Sequence, residues 1–334
     1  MLMKIMQKFR IYCAYVLFLL AGLLIGYGVP FIQSKLVVRT DSLEKRLKGV
    51  KFTSPLLECE PNSSSSLARI LTIKKAVQQI VDEQQQKSKI QRVGIYFRDM
   101  NYGPRFGIHE DMRFAPASML KVPILMYYLK AAETDTLILK KTYTADVFNE
   151  GMSPNFVPSR SVRENKIYTV EELLNYMIRY SDNNAKNTLY ENIDYNKYTT
   201  MFKDIGIDKL SDTEEVNFMS VEEYASFYRI LYNASYLNKY SSEKALSILS
   251  KTNFTSGIVA PIPKSVSVAH KFGERKYTDL YGNVITQLHD CGIVYYPNRP
   301  YLVCVMTQGT HFPSLEKTIQ KISAAIYEGM SEFN

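Results

Sequence analysis

The chain has 334 residues, enough for one large domain or two smaller ones, and its apolar fraction of 46% is ordinary for a globular protein. Its net charge of +8 does not indicate nucleic-acid binding, because residues 1–51 hold nine Lys or Arg and two acidic residues, or +7 of that total. The remaining body is close to neutral, so we expect no nucleic-acid partner.

The first long apolar segment is an uncharged run at residues 11–32, rich in Leu, Ile, Val, Phe, Gly and Tyr. A run of this length can span a bilayer and exceeds the apolar core of a typical signal peptide. Lys4, Lys8 and Arg10 precede it, which favours residues 1–10 on the cytoplasmic side. We predict a single plasma-membrane anchor with the body outside the cytoplasm. A cleaved signal peptide is the alternative, and it would leave the body secreted in the same compartment.

Residues 33–66 are charged, then polar, and end in Pro-Asn followed by four serines, which is typical of a stalk. Apolar residues at helical spacing over 67–86 predict the first helix of the body, and alternation over 92–98 predicts a strand. The body should therefore begin near residue 67.

The rest of the chain changes period twice. Helical patterns dominate from Ser118 to about 250, and two helices begin with capping boxes, Thr169-x-x-Glu172 and Ser220-x-x-Glu223. Strand patterns then cover 265–272, 285–296 and 300–307, and a closing helix covers 313–328. This order predicts an α+β fold in which an antiparallel sheet is flanked by N- and C-terminal helices. Residues 67–117 and 256–334 would form an α/β lobe and 118–255 an inserted all-α lobe, with a cleft between the two.

The four cysteines form no pair motif. Cys13 lies in the predicted anchor, Cys59 in the stalk, and Cys291 and Cys304 on consecutive predicted strands, where we expect buried free thiols. A disulfide between these two strands is the alternative. The four histidines show no zinc-ligand spacing, so we expect neither a metal nor a cofactor.

Ser118 and Lys121 stand at the predicted entry of an apolar helix, three residues apart and therefore on one helix face. An amine so close to a hydroxyl is one way to make serine a nucleophile. The pattern Ser-x-x-Lys is common by chance, and it also begins here at Ser42, Ser241 and Ser314. Helix capping is the ordinary alternative role for Ser118.

Two further segments lie at predicted element boundaries and could complete a site. Ser181-Asp182-Asn183 follows a helix and supplies a second hydroxyl and a side-chain amide, although such a segment is also an ordinary loop. Lys271 lies near the end of a strand, and Gly273 would allow a substrate backbone to approach closely.

From about residue 67 to the C-terminus, these segments and their order resemble the class A serine β-lactamases and the related penicillin-binding proteins. The resemblance includes Arg113-Phe114 before the first motif and 168–174 leading into Ser181-Asp182-Asn183. It implies a substrate that is a β-lactam or a peptidoglycan stem peptide.

The resemblance also implies the role of each residue. Ser118 would be the acylated nucleophile, Lys121 the proton acceptor and Ser181 the proton shuttle to the leaving nitrogen. Asn183 would bind the amide side chain of the substrate, and Lys271 would attract its carboxylate. The backbone N–H groups of Ser118 and Glu274, beside Gly273, would form the oxyanion hole.

The chain departs from the family pattern in two places. Phe272 fills the position of a Thr or Ser, so one contact to a substrate carboxylate should be missing. Class A enzymes carry a loop whose Glu activates the deacylating water. In this chain the counterpart of that loop is the short segment 212–217, where Glu214 or Glu215 could substitute for that Glu. We therefore expect acylation, and slow hydrolysis of the acyl-enzyme.

Three hypotheses follow for the function. The first is a class A β-lactamase-like serine hydrolase acylated at Ser118. The second is a membrane-anchored penicillin-binding D,D-peptidase with the same acylation chemistry. The third is a non-catalytic binding protein on the same fold, suggested by Phe272 and the missing base.

Overall fold

The structure, a computed structural model, describes residues 43–46, 51–54, 56–60, 64–86, 90–147, 155–207 and 218–331. The predicted anchor at 11–32 and Cys13 lie outside these residues. None of the helices within the described ranges combines the length and the apolar character that crossing a bilayer requires.

The described chain contains α-helices, strands and two short 3₁₀ helices. The α-helices are α1 Ser64–Gln86, α2 Lys121–Ala131, α3 Val170–Arg179, α4 Asn183–Glu191, α5 Tyr195–Asp204, α6 Val221–Asn233, α7 Lys239–Leu249 and α8 Phe312–Ser331. The strands are β1 Leu43–Arg46, β2 Leu56–Glu60, β3 Ile90–Asp99, β4 Arg105–Ile108, β5 Arg113–Phe114, β6 Thr142–Thr144, β7 Ile167–Thr169, β8 Met219–Ser220, β9 Val268–Thr278, β10 Val284–Val294 and β11 Tyr301–Gly309. The 3₁₀ helices are Ala117–Leu120 and Thr136–Lys140.

The main sheet has five antiparallel strands in the order β4-β3-β11-β10-β9. Successive side chains of a strand point to opposite faces, and β11 distributes its residues accordingly. Val303 and Val305 join the core beneath α1 and α8, while Leu302, Cys304 and Met306 join the core of the helical lobe. The predicted α+β arrangement, a sheet covered by terminal helices with a helical insertion, is confirmed.

The helical insertion is not purely α-helical. Two short antiparallel pairs, β6 with β7 and β5 with β8, lie within it or at its border. Both predicted capping boxes are present, at the start of α3 and at the start of α6, where each cap side chain accepts from the backbone three residues on. These caps fix where the two helices begin.

Part of the segment that we expected to be a stalk packs on the body. Phe52 is 5% exposed, and the Glu243 carboxylate accepts the backbone N–H groups of Lys51, Phe52 and Thr53 at 2.9 to 3.1 Å. The Tyr295 hydroxyl donates to the Phe52 carbonyl. Helix α1 also starts at Ser64, three residues earlier than predicted.

The interpretation of Cys291 and Cys304 as free thiols is wrong. The two residues lie directly opposite each other on β10 and β11, and they form a disulfide. Register is the physical reason, because only a pair in direct opposition places two side chains on the same face at bonding distance.

Candidate active site

Ser118 lies on the 3₁₀ helix Ala117–Leu120, a tight turn between β5 and α2. Ala117 just before it has a φ of +52°, a conformation that costs an L-residue roughly 1–3 kcal/mol and is usually held by its surroundings. Two contacts hold this turn. The Met119 N–H donates to the Pro116 carbonyl at 3.0 Å, and the buried Tyr224 hydroxyl donates to the Met119 carbonyl at 2.8 Å. Ser118 is therefore presented on a fixed backbone.

His289 on β10 supports the segment that leads into this turn. The Thr307 N–H donates to its Nδ1 at 3.1 Å, so the ring proton is on Nε2, which donates to the Ala115 carbonyl at 3.1 Å. Burial lowers the pKa of His289 from 6.5 to about 4. The ring is therefore neutral at pH 7, in the one tautomer that serves both partners.

Lys121 follows Ser118 by one helical turn and is only 2% exposed. Its Nζ lies 3.0 Å from Ser118 Oγ, 2.7 Å from the Ser181 carbonyl oxygen and 2.6 Å from Asn183 Oδ1. Carbonyl oxygens can only accept, so they fix two directions of Nζ as donors. The remaining direction faces two hydroxyl oxygens, Ser118 Oγ at 3.0 Å and Ser181 Oγ at 3.3 Å. In a neutral amine that direction is the lone pair, and the shorter distance favours proton transfer from Ser118.

The loop between α3 and α4 brings Ser181 and Asn183 to this amine. Ser181 is 7% exposed and has a φ of +56°, so its carbonyl and its hydroxyl both face Lys121. Asp182 holds the loop, since its carboxylate accepts from the Asn184 N–H at 3.0 Å and from the Val162 N–H at 2.7 Å. Burial raises the pKa of Asp182, and these backbone donors act against that rise.

Lys271 on β9 reaches the same hydroxyl from the other side of the site. Its Nζ lies 2.8 Å from Ser181 Oγ and 2.9 Å from the Phe272 carbonyl oxygen, and the residue is fully buried. Burial lowers the pKa of Lys271 well below its usual range, and the neighbouring Lys121 lowers it further. Two amines therefore meet at one hydroxyl, and a proton on one disfavours a proton on the other.

Gly273 lies against the serine turn, and a Cβ at this position would collide with the Pro116 carbonyl oxygen and contact Met119. The close approach is therefore between β9, an outer strand of the sheet, and the turn that carries Ser118. Glu274, the next residue, directs its carboxylate to the backbone N–H groups of Asn155 and Phe156 at 3.2 and 3.1 Å.

Phe272 occupies the hydroxyl position of the family pattern, and its ring is 2% exposed. It stacks on Phe254 with the ring centroids 4.0 Å apart, and it meets Phe156 edge-on at 4.7 Å. We call these three rings the aromatic triad. No motif in the sequence marks four of the residues that shape the site: Phe156, Phe254, Tyr224 and His289.

The remaining sequence-based candidates are the two glutamates of 212–217 and the other three Ser-x-x-Lys patterns. Glu214 and Glu215 lie outside the described residues, as does Ser42. In the pattern that begins at Ser241, Lys244 pairs with Glu171 at 2.6 Å on the surface of the helical lobe. In the pattern that begins at Ser314, the serine hydroxyl interacts with His311 at 2.9 Å. Within the described residues, the contacts of Ser118 thus distinguish it from Ser241 and Ser314.

The fold is similar to that of several solved structures. A PBP-A variant, solved as an acyl-enzyme complex with penicillin G, shares 22% identity over 78% of this chain and 97% of that chain, with a TM-score of 0.64. A β-lactamase from Chitinophaga pinensis shares 19% identity over 78% and 99%, with a TM-score of 0.66. A class A β-lactamase from Mycobacterium abscessus shares 19% over 77% and 99%, with a TM-score of 0.63. No curated protein matches by sequence.

The family assignment rests on a sequence profile. The profile of the β-lactamase enzyme family matches residues 72–330, which include the serine turn, the loop after α3 and strand β9. The structural similarities independently agree on the fold. The chain belongs to the β-lactamase enzyme family, and it is a β-lactamase-like serine hydrolase.

Proposed function

We propose that the protein forms an acyl-enzyme at Ser118 with β-lactam amides and hydrolyses it slowly. One observation supports this most directly. The Lys121 amine lies 3.0 Å from Ser118 Oγ while the Ser181 and Asn183 oxygens occupy its other directions. This arrangement suits an amine that accepts a proton from serine, because its donors are already engaged elsewhere.

In the proposed acylation, Ser118 Oγ loses its proton to Lys121 Nζ and attacks the amide carbonyl carbon. The C–N bond then breaks, and the leaving nitrogen takes a proton from Ser181 Oγ. The proton returns to Ser181 from one of the two amines, which lie 3.3 Å (Lys121) and 2.8 Å (Lys271) from that oxygen. Ser181 would thus carry protons between the amines and the leaving group.

The negative charge that develops on the carbonyl oxygen needs donors in place before the reaction. We assign this role to the backbone N–H groups of Ser118 and Glu274. The contact between the serine turn and Gly273 keeps these two segments together. Asn183 Oδ1 is used by Lys121, so its Nδ2 is the group that would bind a substrate carbonyl.

Hydrolysis of the acyl-enzyme needs an activated water, and Glu214 and Glu215 are the sequence-based candidates for its base. A D,D-peptidase acting on peptidoglycan stem peptides is the second candidate function. The similarity to PBP-A and the predicted anchor favour it. We also propose that residues 11–32 hold the body outside the cytoplasm. The disulfide between Cys291 and Cys304 supports this, because such bonds persist in oxidising compartments.

A labelling and turnover experiment tests the proposal. Purified full-length protein and a Ser118→Ala variant are incubated with a fluorescent penicillin, and hydrolysis of a chromogenic cephalosporin is followed in parallel. We expect labelling of the wild type only, with slow turnover. Stable labelling without turnover would favour the D,D-peptidase. Absence of labelling at millimolar penicillin would contradict acylation and favour the binding protein.

A further inference from the structure

On the β9 side of the site, the ionisable group is buried against an aromatic ring. Lys271, expected to attract a substrate carboxylate, is fully buried. Its Nζ faces Ser181 Oγ, the Phe272 carbonyl oxygen and the face of the Phe272 ring, whose centroid is 4.1 Å away. A substrate carboxylate would have to displace one of these neighbours to reach the amine.

The ring of Phe272 is held in this position from two directions. Phe254 stacks on it nearly parallel, with an angle of 20° between the ring planes, and Phe156 closes its edge at 69°. Rings packed in this way are stabilised by the burial of apolar area and by the favourable geometry of each aromatic pair. Rotation of Phe272 away from Lys271 would therefore break two aromatic contacts.

Two carboxylates, those of Glu274 and Asp290, also make the β9 side unfavourable for an anion. Glu274, beside Gly273, accepts the Asn155 and Phe156 N–H groups and so holds Phe156 against Phe254 and Phe272. Asp290, opposite Phe272 on β10, is fully buried; its carboxylate accepts the Ile258 N–H at 2.9 Å and lies 2.9 Å from His270 Nδ1. Both carboxylates act to raise the pKa of Lys271. A substrate anion brought to this side would therefore meet two carboxylates that are already present.

Two apolar side chains beside the triad reach the surface, on a segment whose other exposed residues include Asn155, Ser159 and Arg160. Phe156 is only partly buried, and Val157, the next residue, is 73% exposed. An apolar group of a bound substrate could cover both, which would remove their surface from water.

We propose that the β9 side of the site accepts an uncharged, apolar group of the acyl substrate, and that Phe156, Phe254 and Phe272 determine this specificity. The proposal rests on acylation at Ser118 as proposed above. The substrate class is then amides that carry no carboxylate on the carbon bonded to the leaving nitrogen. Substrates with a carboxylate there react more slowly.

Benzylpenicillin and its methyl ester test this, because they share one reactive ring and differ only in that carboxylate. Acylation of the full-length protein is followed by intact-mass spectrometry at several concentrations of each compound. We expect the ester to acylate at least tenfold faster, which corresponds to about 1.4 kcal/mol. In Phe272→Thr the ratio should fall at least tenfold, because the ring no longer covers Lys271.

Two further variants keep the test decisive. Phe106→Leu changes a buried ring that stacks on Phe97 in the same core, away from Lys271, and should leave the ratio unchanged. Glu274→Gln preserves side-chain volume and should lower the ratio severalfold even if Phe272→Thr does not fold. A wild type that reacts faster with the acid overturns the specificity and leaves acylation at Ser118 intact. A wild type that reacts with neither compound overturns the proposed function itself.

Discussion

The two sides of the site differ in how their polar groups are satisfied. On the helical side, Ser118, Lys121, Ser181 and Asn183 form a connected set of polar contacts between 2.6 and 3.3 Å. On the β9 side, the Lys271 amine lies against the Phe272 ring and carbonyl oxygen, and Ser181 Oγ is its link to the other side. The first side places a serine hydroxyl beside an amine, as acyl transfer requires, whereas the amine of the second side is fully buried.

The largest expected effect comes from removing the amine on the helical side. Lys121→Met keeps the length of the side chain but removes the proton acceptor, so acylation should slow by about a thousandfold. The rate of adduct formation with a penicillin measures it. Lys244→Met is the matched control, because Lys244 belongs to the pattern that starts at Ser241 and pairs with Glu171 instead. Equal rates in Lys121→Met and the control would contradict the assignment of Lys121.

A second prediction concerns the support that β10 gives to the helical side. His289 has a folded pKa of about 4 against an ordinary 6.5, so between these values the unfolded chain binds the extra proton. Its contribution to stability is complete above pH 6.5 and is lost as the pH falls toward 4, by about 3 kcal/mol in total. Denaturant unfolding at several pH values measures it.

His289→Gln is the control for this pH dependence. The amide can still accept from the Thr307 N–H and donate to the Ala115 carbonyl, but it does not titrate. The free energies of unfolding of the two proteins should therefore diverge below pH 6.5. Parallel pH profiles would show that His289 does not stay neutral in the folded protein.

The third prediction concerns the smallest expected change, the destabilisation caused by a glycine-to-alanine substitution on each of the two edge strands of the sheet. Gly273→Ala on β9 should destabilise the fold by about 1–3 kcal/mol and slow acylation, because the new Cβ meets the backbone at Pro116. Gly107→Ala on β4 should cost less than this, since the three atoms nearest its Cβ all belong to the flexible end of Glu110. Thermal unfolding and adduct formation measure both variants, and equal effects would contradict the proposed contact between β9 and the serine turn.

The helical side was largely predictable from the sequence. Ser118 and Lys121 are three residues apart, so local geometry alone brings their side chains together. Capping boxes also predicted where α3 and α6 begin, and the change from helical to strand period predicted the strands that follow. These features are determined by residues that are close together in the chain, so they can be recognised in the sequence.

The β9 side was not predictable in the same way. Phe272 was visible as a departure from the pattern, but its contacts come from Phe156 and Phe254, which precede it by 116 and 18 residues. The disulfide was missed for a similar reason. Cys291 and Cys304 face each other only in one register of β10 and β11, and a shift of one residue would move one of them to the other face.

Mapping the site of the acyl adduct tests the central claim most directly. Full-length protein is incubated with benzylpenicillin methyl ester, digested, and sequenced by tandem mass spectrometry. We predict a single adduct on Ser118, which is absent from Ser118→Ala and strongly reduced in Lys121→Met. An adduct on another residue, or equal modification of the wild type and Ser118→Ala, would contradict the account.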